Sequence, residues 1–359
     1  MHEIITFIEH PDFGARGVWI CLILLAIGIW LLALGGSWLV TGGLGLAKQL
    51  NIKTVIVGLT IIAFSTSAPE LAFNVFAAIE GSGEISIGNI FGSNIANLTL
   101  VLGVGALIHN KVLKKNSTPI GKNFIYKEGL WLLGATIGIS LITTAILLGG
   151  NTSEDWISLG WPIGVLIFLF FILFFWKIIV KNDSSKQLEV DGVNEATSCS
   201  LPKAIWLLLG GFILLILGGK SAEIGAVSVA RIMGISEMFI GVTIVAIATS
   251  LPELVTTIVA AKRDEAALVW GNIVGSNLFN ILFVLPITVV TAAVAGKGHI
   301  AIPSNYEPWF YMTVMLGVTI FAWGAMKKGS DITNNEAKQF VGFCVLFLVG
   351  AIIWKSIAT

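Results

Sequence analysis

The sequence predicts an all-α polytopic membrane protein, with ten transmembrane helices arranged as two inverted five-helix repeats and both termini outside. Three observations carry this prediction. First, 56% of the 359 residues are hydrophobic and only 12% are charged, and apolar runs of about 20 residues recur, the length that crosses a bilayer as a helix. Second, the chain is internally duplicated. Gly58–Leu71 (GLTIIAFSTSAPEL) and Gly88–Asn97 (GNIFGSNIAN) return as Gly241–Leu254 (GVTIVAIATSLPEL) and Gly271–Asn280 (GNIVGSNLFN), at a constant offset of 183 residues. Between 58–97 and 241–280, 18 of 40 positions are identical, which marks a repeat rather than chance. Third, a division into ten spans places 16 of the 21 Lys and Arg on one side, and the positive-inside rule makes that side cytoplasmic.

In chain order, the spans are Val18–Leu46, Val55–Ile79, Ile85–Ile108, Gly129–Leu148 and Trp161–Val180, then Pro202–Met233, Met238–Ala261, Ala266–Val294, Trp309–Met326 and Phe340–Ile357. The second is interrupted at Ser65-Thr66-Ser67-Ala68-Pro69 and the seventh at Thr249-Ser250-Leu251-Pro252. Five spans separate each motif from its copy. Because five is odd, the halves enter the membrane in opposite directions. The domains are therefore 1–180, a polar cytoplasmic linker at 181–200, and 201–359. Residues 1–16 lack the basic start and short apolar core of a cleaved signal. A transmembrane β-barrel would show short alternating segments instead. No basic face points to nucleic acid. Cys21, Cys199 and Cys344 lie singly, and His2, His10, His109 and His299 fall in expected loops or the N-terminal tail, so neither a disulfide framework nor a transition-metal site is expected.

The repeated stretch carries polar groups that are unfavourable in hydrocarbon. A glutamate there costs at least a few kcal/mol and persists only with a partner or a function. Glu70 and Glu253 could be packing groups tied to hydroxyls, but two copies of one destabilising cluster point to a single shared site. Ala63, Thr66, Ser67 and Glu70 fall at helical spacings of three and four, as do Ala246, Thr249, Ser250 and Glu253. Pro69 and Pro252 lack an amide hydrogen and break the helix beside them. Ser93 and Asn97 share a face one turn apart, as do Ser276 and Asn280. Gly88, Gly92, Gly271 and Gly275 would let helices approach closely. All these donors are hard oxygens, which suit Ca²⁺, Na⁺ or Mg²⁺, and the flexible mixture favours Ca²⁺ over the strict octahedron of Mg²⁺. The same carboxylates attract Na⁺ or H⁺, and mutually exclusive occupancy is the physical basis of exchange.

Several neighbours read as structural. Asn89 and Asn272 belong to helix packing, and Glu80 and Glu84 are solvated loop charges. Asn94 and Asn277 stand open between helix contact and ligand. Lys220 and Glu223, one turn apart, form a candidate ion pair.

The TSAPEL/GNIFGSNIAN and TSLPEL/GNIVGSNLFN motifs closely resemble the two α-repeats of the cation/Ca²⁺ antiporter superfamily, in its sodium/calcium exchanger branch. The resemblance implies a ten-helix exchanger that moves cytoplasmic Ca²⁺ against external Na⁺ by alternating access. It implies ion-site positions at Ala63 (carbonyl), Thr66, Ser67, Glu70, Ser93 and Asn97, with Ala246 (carbonyl), Thr249, Ser250, Glu253, Ser276 and Asn280 in the second half. It also implies that the first and sixth helices slide as a pair against the rest, that the protein lies in a plasma or inner membrane, and that a monomer is the working unit. Ca²⁺ and Na⁺ are cargo, and no cofactor is expected. Two departures stand out. Ser65 and Ala248 replace the Gly that precedes the Thr-Ser pair in many members, and Asn280 replaces an Asp. The missing charge argues against a potassium requirement and leaves H⁺-coupled exchange of Ca²⁺ or another divalent cation as the alternative. An intramembrane enzyme would need a nucleophile with a base, or a metal, and no His lies in an expected span. A passive channel would lack counter-ion coupling.

Overall fold

The computed structural model describes residues 15–119, 128–149, 156–180, 199–232, 245–297, 299–303, 307–329 and 331–358. In the first half, α1 is Ala15–Gln49. Helix α2 runs Thr54–Thr66 with a π turn at Gly58–Ile62, and α3 is Ala68–Glu80. Helix α4 joins Gly83–Ala96, a π turn at Asn97–Val101 and Leu102–Val112. β1 (Ser117–Pro119), α5 (Leu130–Gly149), β2 (Trp156–Gly160) and α6 (Trp161–Val180) come next. The second half holds α7 (Leu201–Ile232), α8 (Ala246–Thr249), α9 (Leu251–Lys262) and α10, which joins Ala266–Phe279, a π turn at Asn280–Val284 and Leu285–Val294. β3 (His299–Pro303), α11 (Glu307–Gly329), β4 (Asp331–Thr333) and α12 (Asn334–Ala358) complete it. The start of the expected seventh span and most of the 181–200 linker lie outside the described residues.

Among the described residues, five helices are long and apolar enough to cross a membrane, or six when α2 and α3 count as one bent span; Leu130–Ala145 and Trp309–Ala325 are shorter apolar helices. The helices expose large apolar side chains and bury a polar cluster within an otherwise apolar core. Trp19, Trp30, Trp161 and Trp206 are exposed, whereas Glu70, Glu253, Asn97 and Asn280 are fully buried. That is the inverse of a water-soluble globule and matches hydrocarbon as solvent.

Both predicted interruptions are real and alike. Helix α2 meets α3 at a 43° bend, where Ser67 leaves helical geometry at φ −84°, ψ 4°. Ser250 stands between α8 and α9 at φ −84°, ψ 2°. Pro69 and Pro252 each sit in the first turn of the next helix, where a missing N–H leaves no hydrogen bond unmade. The prolines thus start the second segment instead of kinking a continuous helix.

Glycine sets how closely the halves approach. Helices α1 and α7 cross antiparallel: a Cβ on Gly28 would meet Ala222 at 2.4 Å, one on Gly35 would meet the Gly211 carbonyl at 3.0 Å, and one on Gly42 the Ala204 carbonyl at 2.8 Å. Gly211, Gly218 and Gly225 return the contact from the other side, each 183 residues beyond its counterpart. Backbone therefore rests on backbone along a smooth seam. A second crossing lies nearer the core, where Gly271 abuts Gly58 and Gly275 abuts Leu59 and Ala63, so α10 packs directly on the π turn of α2. Gly88, the repeat counterpart of Gly271, has no described atom within 4 Å of such a Cβ, and the counterpart of Gly58, residue 241, lies outside the described residues.

Two antiparallel ribbons, which the periodicity of the sequence does not announce, connect the halves. β1 pairs with β4 (Ser117 opposite Thr333) and β2 pairs with β3 (Trp156 opposite Pro303). Each joins a strand of one half to a strand of the other, and β1 and β3 occupy matching places after α4 and α10. His109 corrects its expected loop placement. It lies in the last turn of α4, fully buried, with Nε2 3.0 Å from Asp264 Oδ1 and Nδ1 3.3 Å from Thr118 Oγ1. The helix outruns its apolar run because these partners replace water around the ring. Asp264 sits at φ 62°, a turn conformation Asp tolerates, and also takes Lys115 at 2.8 Å. Beside it, Arg263 donates to Thr41 Oγ1 (2.7 Å) and Ser37 Oγ (2.8 Å), fastening α1 to the α9–α10 turn. The expected pairing of Lys220 with Glu223 is present at 3.0 Å.

Two consequences can be measured on protein purified in detergent. Gly275→Leu, which drives a side chain into Ala63 and Leu59, should lower stability by about 1–3 kcal/mol or more, read as a lower unfolding temperature. Gly138→Leu, where a Cβ meets nothing within 4 Å, should be close to neutral. The α9–α10 turn also sets a pH dependence. Burial pushes the Glu265 carboxyl from its ordinary 4.5 up to about 7; neighbouring Asp264 adds to the rise and Arg263 opposes it. The fold thus favours neutral Glu265, so its stabilisation is complete below about 4.5 and is lost as pH rises through about 7. Glu265→Gln should flatten the fall in unfolding temperature across that window.

Candidate functional site

The α2–α3 and α8–α9 breaks face each other across the middle of the bundle, and each bonds to the opposite half. Thr66 Oγ1 lies 3.1 Å from Asn272 Oδ1 and 3.1 Å from Ser276 Oγ, both on α10. In mirrored fashion, Thr249 Oγ1 lies 3.2 Å from Asn89 Nδ2 and 3.3 Å from Ser93 Oγ, both on α4. Ser67 Oγ donates to Glu253 Oε1 at 3.2 Å, which brings one half's serine onto the other half's carboxylate. The Ala63 carbonyl accepts from the Ser67 amide (3.0 Å) and from the Thr66 hydroxyl (3.2 Å), while Ala246 opens α8. Thr66, Ser67, Glu70, Ser93 and Asn97 are thus buried with Thr249, Ser250, Glu253, Ser276 and Asn280.

Hydrogen bonding within this cluster is incomplete in an informative way. Both Glu70 oxygens, Glu253 Oε2, Ser250 Oγ, and both amide atoms of Asn97 and of Asn280 are buried without a hydrogen-bond partner among the described residues. Buried polar atoms are nearly always satisfied, and each orphan costs roughly 1–3 kcal/mol, more when charged. Five of the residues expected to hold an ion are therefore among those left with unpaired donors or lone pairs, alongside Asn74, Asn94, Thr256, Asn277 and Trp323. Among the described residues no three of His, Cys, Asp and Glu gather into a metal-binding group. The set is two carboxylates with hydroxyls and amides, a hard-oxygen environment that fits a weakly held alkali or alkaline-earth cation.

Local geometry explains how the amides point inward. Asn97 opens the π turn of α4 and Asn280 that of α10. A π turn inserts one residue and rotates the remainder of the helix, a device common at functional sites, and nothing in the residue pattern marks it. On one flank, Phe64, Phe171, Phe279 and Phe283 pack with centroids 5.0–6.0 Å apart. Phe64 adjoins Ala63, Phe279 adjoins Asn280, and Phe64 also stacks on Phe212 of α7 at 6.3 Å.

Asn89 and Asn272, read from sequence as packing residues, hold the two threonine hydroxyls, so they support the site from behind. Asn74 and Thr257, which the sequence reading passes over, hold these asparagines in turn, at 2.9 Å and 3.0 Å. Their signal was available: positions 74 and 257 are equivalent by the repeat, polar, and one turn after each glutamate. Asn94 and Asn277 are buried; Asn277 donates to the Ile273 carbonyl within its own helix and Asn94 to Met315, while the Oδ1 of each has no hydrogen-bond partner among the described residues.

Comparison with known proteins agrees with this geometry. The sodium/calcium exchanger protein family matches residues 20–180 and 203–357. An uncharacterized membrane protein of Methanocaldococcus jannaschii is 32% identical over 265 residues, covering 72% of this chain and 80% of that protein. The sodium/calcium exchanger MaX1 of Methanosarcina acetivorans is 28% identical over 352 residues, 91% of this chain and 97% of its own. The solved structure of the sodium-calcium exchanger NCX_Mj superposes with a TM-score of 0.73 at 27% identity, covering 92% of this chain and 98% of that one. With both repeats matched and the interdigitated polar cluster between them, the chain belongs to the sodium/calcium exchanger protein family.

Proposed function

We propose that this protein is a secondary antiporter that extrudes Ca²⁺ from the cytoplasm in exchange for Na⁺, by alternating access, with Ala63, Thr66, Ser67, Glu70, Ser93, Asn97, Ala246, Thr249, Ser250, Glu253, Ser276 and Asn280 as the ion site. The single observation that carries this reading is the pair of fully buried glutamates from equivalent positions in the middle of the bundle. Both Glu70 oxygens and Glu253 Oε2 lack hydrogen-bond partners among the described residues. Two carboxylates neutralise one Ca²⁺ or two monovalent cations, so occupancy by one kind of ion excludes the other. An empty, doubly charged site is the state least tolerable in a low-dielectric interior, and that penalty couples the two fluxes.

The rest of the architecture is consistent with this role. Ten spans, both termini outside, two five-helix units (1–180 and 201–359) joined by the cytoplasmic linker at 181–200, and a monomer in a plasma or inner membrane form the working arrangement. The α1–α7 pair is the moving part. Its glycine seam keeps the two helices together as one body, and its contact with the core includes a small set of polar bonds, such as Arg263 to Ser37 and Thr41. Proton coupling is the competing reading, because a buried carboxyl such as Glu70 can also exchange a proton for a cation.

Proteoliposomes loaded with Na⁺ and diluted into Na⁺-free buffer at fixed pH should accumulate radiolabelled Ca²⁺. Glu70→Gln and Glu253→Gln should each reduce that uptake to the level of empty vesicles, because each removes half of the compensating charge while preserving side-chain shape. Uptake driven by a pH gradient alone would replace Na⁺ by H⁺ as the coupling ion. Absence of gradient-driven Ca²⁺ flux in folded wild-type protein would discard Ca²⁺ as the substrate.

A further inference from the structure

The two halves hold matching hydroxyls through amides that face opposite ways. In the second half, Asn272 Nδ2 donates to the Glu253 carbonyl (3.3 Å) and to Thr257 Oγ1 (3.0 Å). A carbonyl can only accept, so the amide's orientation is fixed and Oδ1 is the atom turned to Thr66 Oγ1. In the first half the residue equivalent to Thr257 is Asn74. Its Nδ2 donates to the Glu70 carbonyl (2.7 Å) and to Asn89 Oδ1 (2.9 Å). Asn89 is thereby held the other way round, and its Nδ2 donates to Thr249 Oγ1 at 3.2 Å.

This reversal changes what each hydroxyl pair can offer a cation. Thr66 with Ser276, and Thr249 with Ser93, each bring two hydroxyl hydrogens and four lone pairs. One hydrogen and one lone pair are consumed within each pair. At Thr66–Ser276 the asparagine accepts: the remaining hydrogen goes to Asn272 Oδ1, shared with the Ala63 carbonyl, and no lone pair is taken. At Thr249–Ser93 the asparagine donates, and its amide fills a further lone pair. The asparagines' own contributions therefore differ by one lone pair: Asn89 fills one on Thr249, and Asn272 fills none on Thr66. A cation coordinates lone pairs, so the two sides differ in strength although their ligand residues are the same.

We infer that Asn74 and Thr257 are specificity-determining positioning residues: acting through Asn89 and Asn272, they make Thr66–Ser276 the stronger and Thr249–Ser93 the weaker cation-binding hydroxyl pair. The identity of the ions, Ca²⁺ and Na⁺, rests on the function proposed above. Ca²⁺ is the more sensitive of the two, because it takes six to eight oxygen ligands.

The test is a four-way comparison of wild type, Asn74→Thr, Asn74→Val and Thr257→Asn, using Na⁺-driven radiolabelled Ca²⁺ uptake with KM read separately from Vmax, and Ca²⁺ binding to the detergent-purified protein by equilibrium dialysis. Asn74→Thr gives the first half the second half's acceptor, turns the Asn89 amide over and frees one lone pair. It should tighten Ca²⁺ binding and lower KM about threefold to tenfold, the worth of one hydrogen bond. Thr257→Asn should weaken both by a similar factor. Asn74→Val has nearly the shape of the Thr variant without its hydroxyl, and should not tighten binding. Should Asn74→Thr fold poorly, Asn74→Ser supplies the same acceptor with the same expected sign. Equal shifts for the Thr and Val variants, or no tightening in Asn74→Thr and Asn74→Ser, would overturn the assignment while leaving exchange intact. The expected order in binding, without Na⁺-driven flux in wild type, would support the assignment and retire the exchange reading alone. Failure of every variant and the wild type to bind Ca²⁺ would overturn both.

Discussion

Two carboxylates buried in a hydrocarbon-embedded bundle are the constraint that the rest of the molecule satisfies. Among the described residues, neither Glu70 nor Glu253 has a basic side chain bonded to it, so no ion pair among them cancels the charge of the two carboxylates. A fixed Arg or Lys would quench the site permanently, whereas mobile cations quench it only while bound. The surrounding groups are neutral dipoles, hydroxyls and amides, which stabilise a bound cation without competing with it. A buried dipole left without any partner costs roughly 1–3 kcal/mol, which the packing of the remaining helices has to offset.

Close helix contact provides that offset, together with a buried apolar core that includes Leu39, Ile62, Ile90 and Leu285. In lipid, apolar side chains gain little by facing each other, and association depends on backbone proximity and on polar bonds between helices. The crossings at Gly58–Gly271 and along the Gly28–Gly42 seam supply the first. The reciprocal bonds of Thr66 to α10 and of Thr249 to α4 supply the second, and they do so within the candidate site itself. The same interactions therefore hold the halves together and arrange the residues proposed as ion ligands. The ribbons β1–β4 and β2–β3 fasten the halves again nearer the helix ends, leaving α1 and α7 attached chiefly to each other.

Internal duplication gives approximate symmetry, and the departures from it are chemically informative. A strictly symmetric site would present two equal faces to an ion. Here Ser67 bonds Glu253, but Ser250 and Glu70 lack the corresponding bond, and Asn74 stands opposite Thr257. Positions 74 and 257 lie one helical turn from the glutamates, where the two halves differ in residue type next to otherwise matching polar groups.

Much was legible in the sequence by itself. The repeat, the proline breaks and the paired glutamates are read from residue type and spacing, because a charged group or a proline in hydrocarbon has few tolerable settings. Helix ends fall within a few residues of their expected places for the same reason. Tertiary structure alone decided the rest. The π turns at Asn97 and Asn280 leave no periodic trace, since they insert one residue without altering composition. The ribbons pair segments too short to show alternation, and His109 is buried only because Asp264 and Thr118 arrive from elsewhere. The support of Thr66 by Asn272, and of Thr249 by Asn89, joins residues about 160 to 206 positions apart, a distance over which residue type carries no record of which hydrogen faces which oxygen. Hydrogen-bond direction depends on the whole set of neighbours at once, and that set exists only after the two halves have docked.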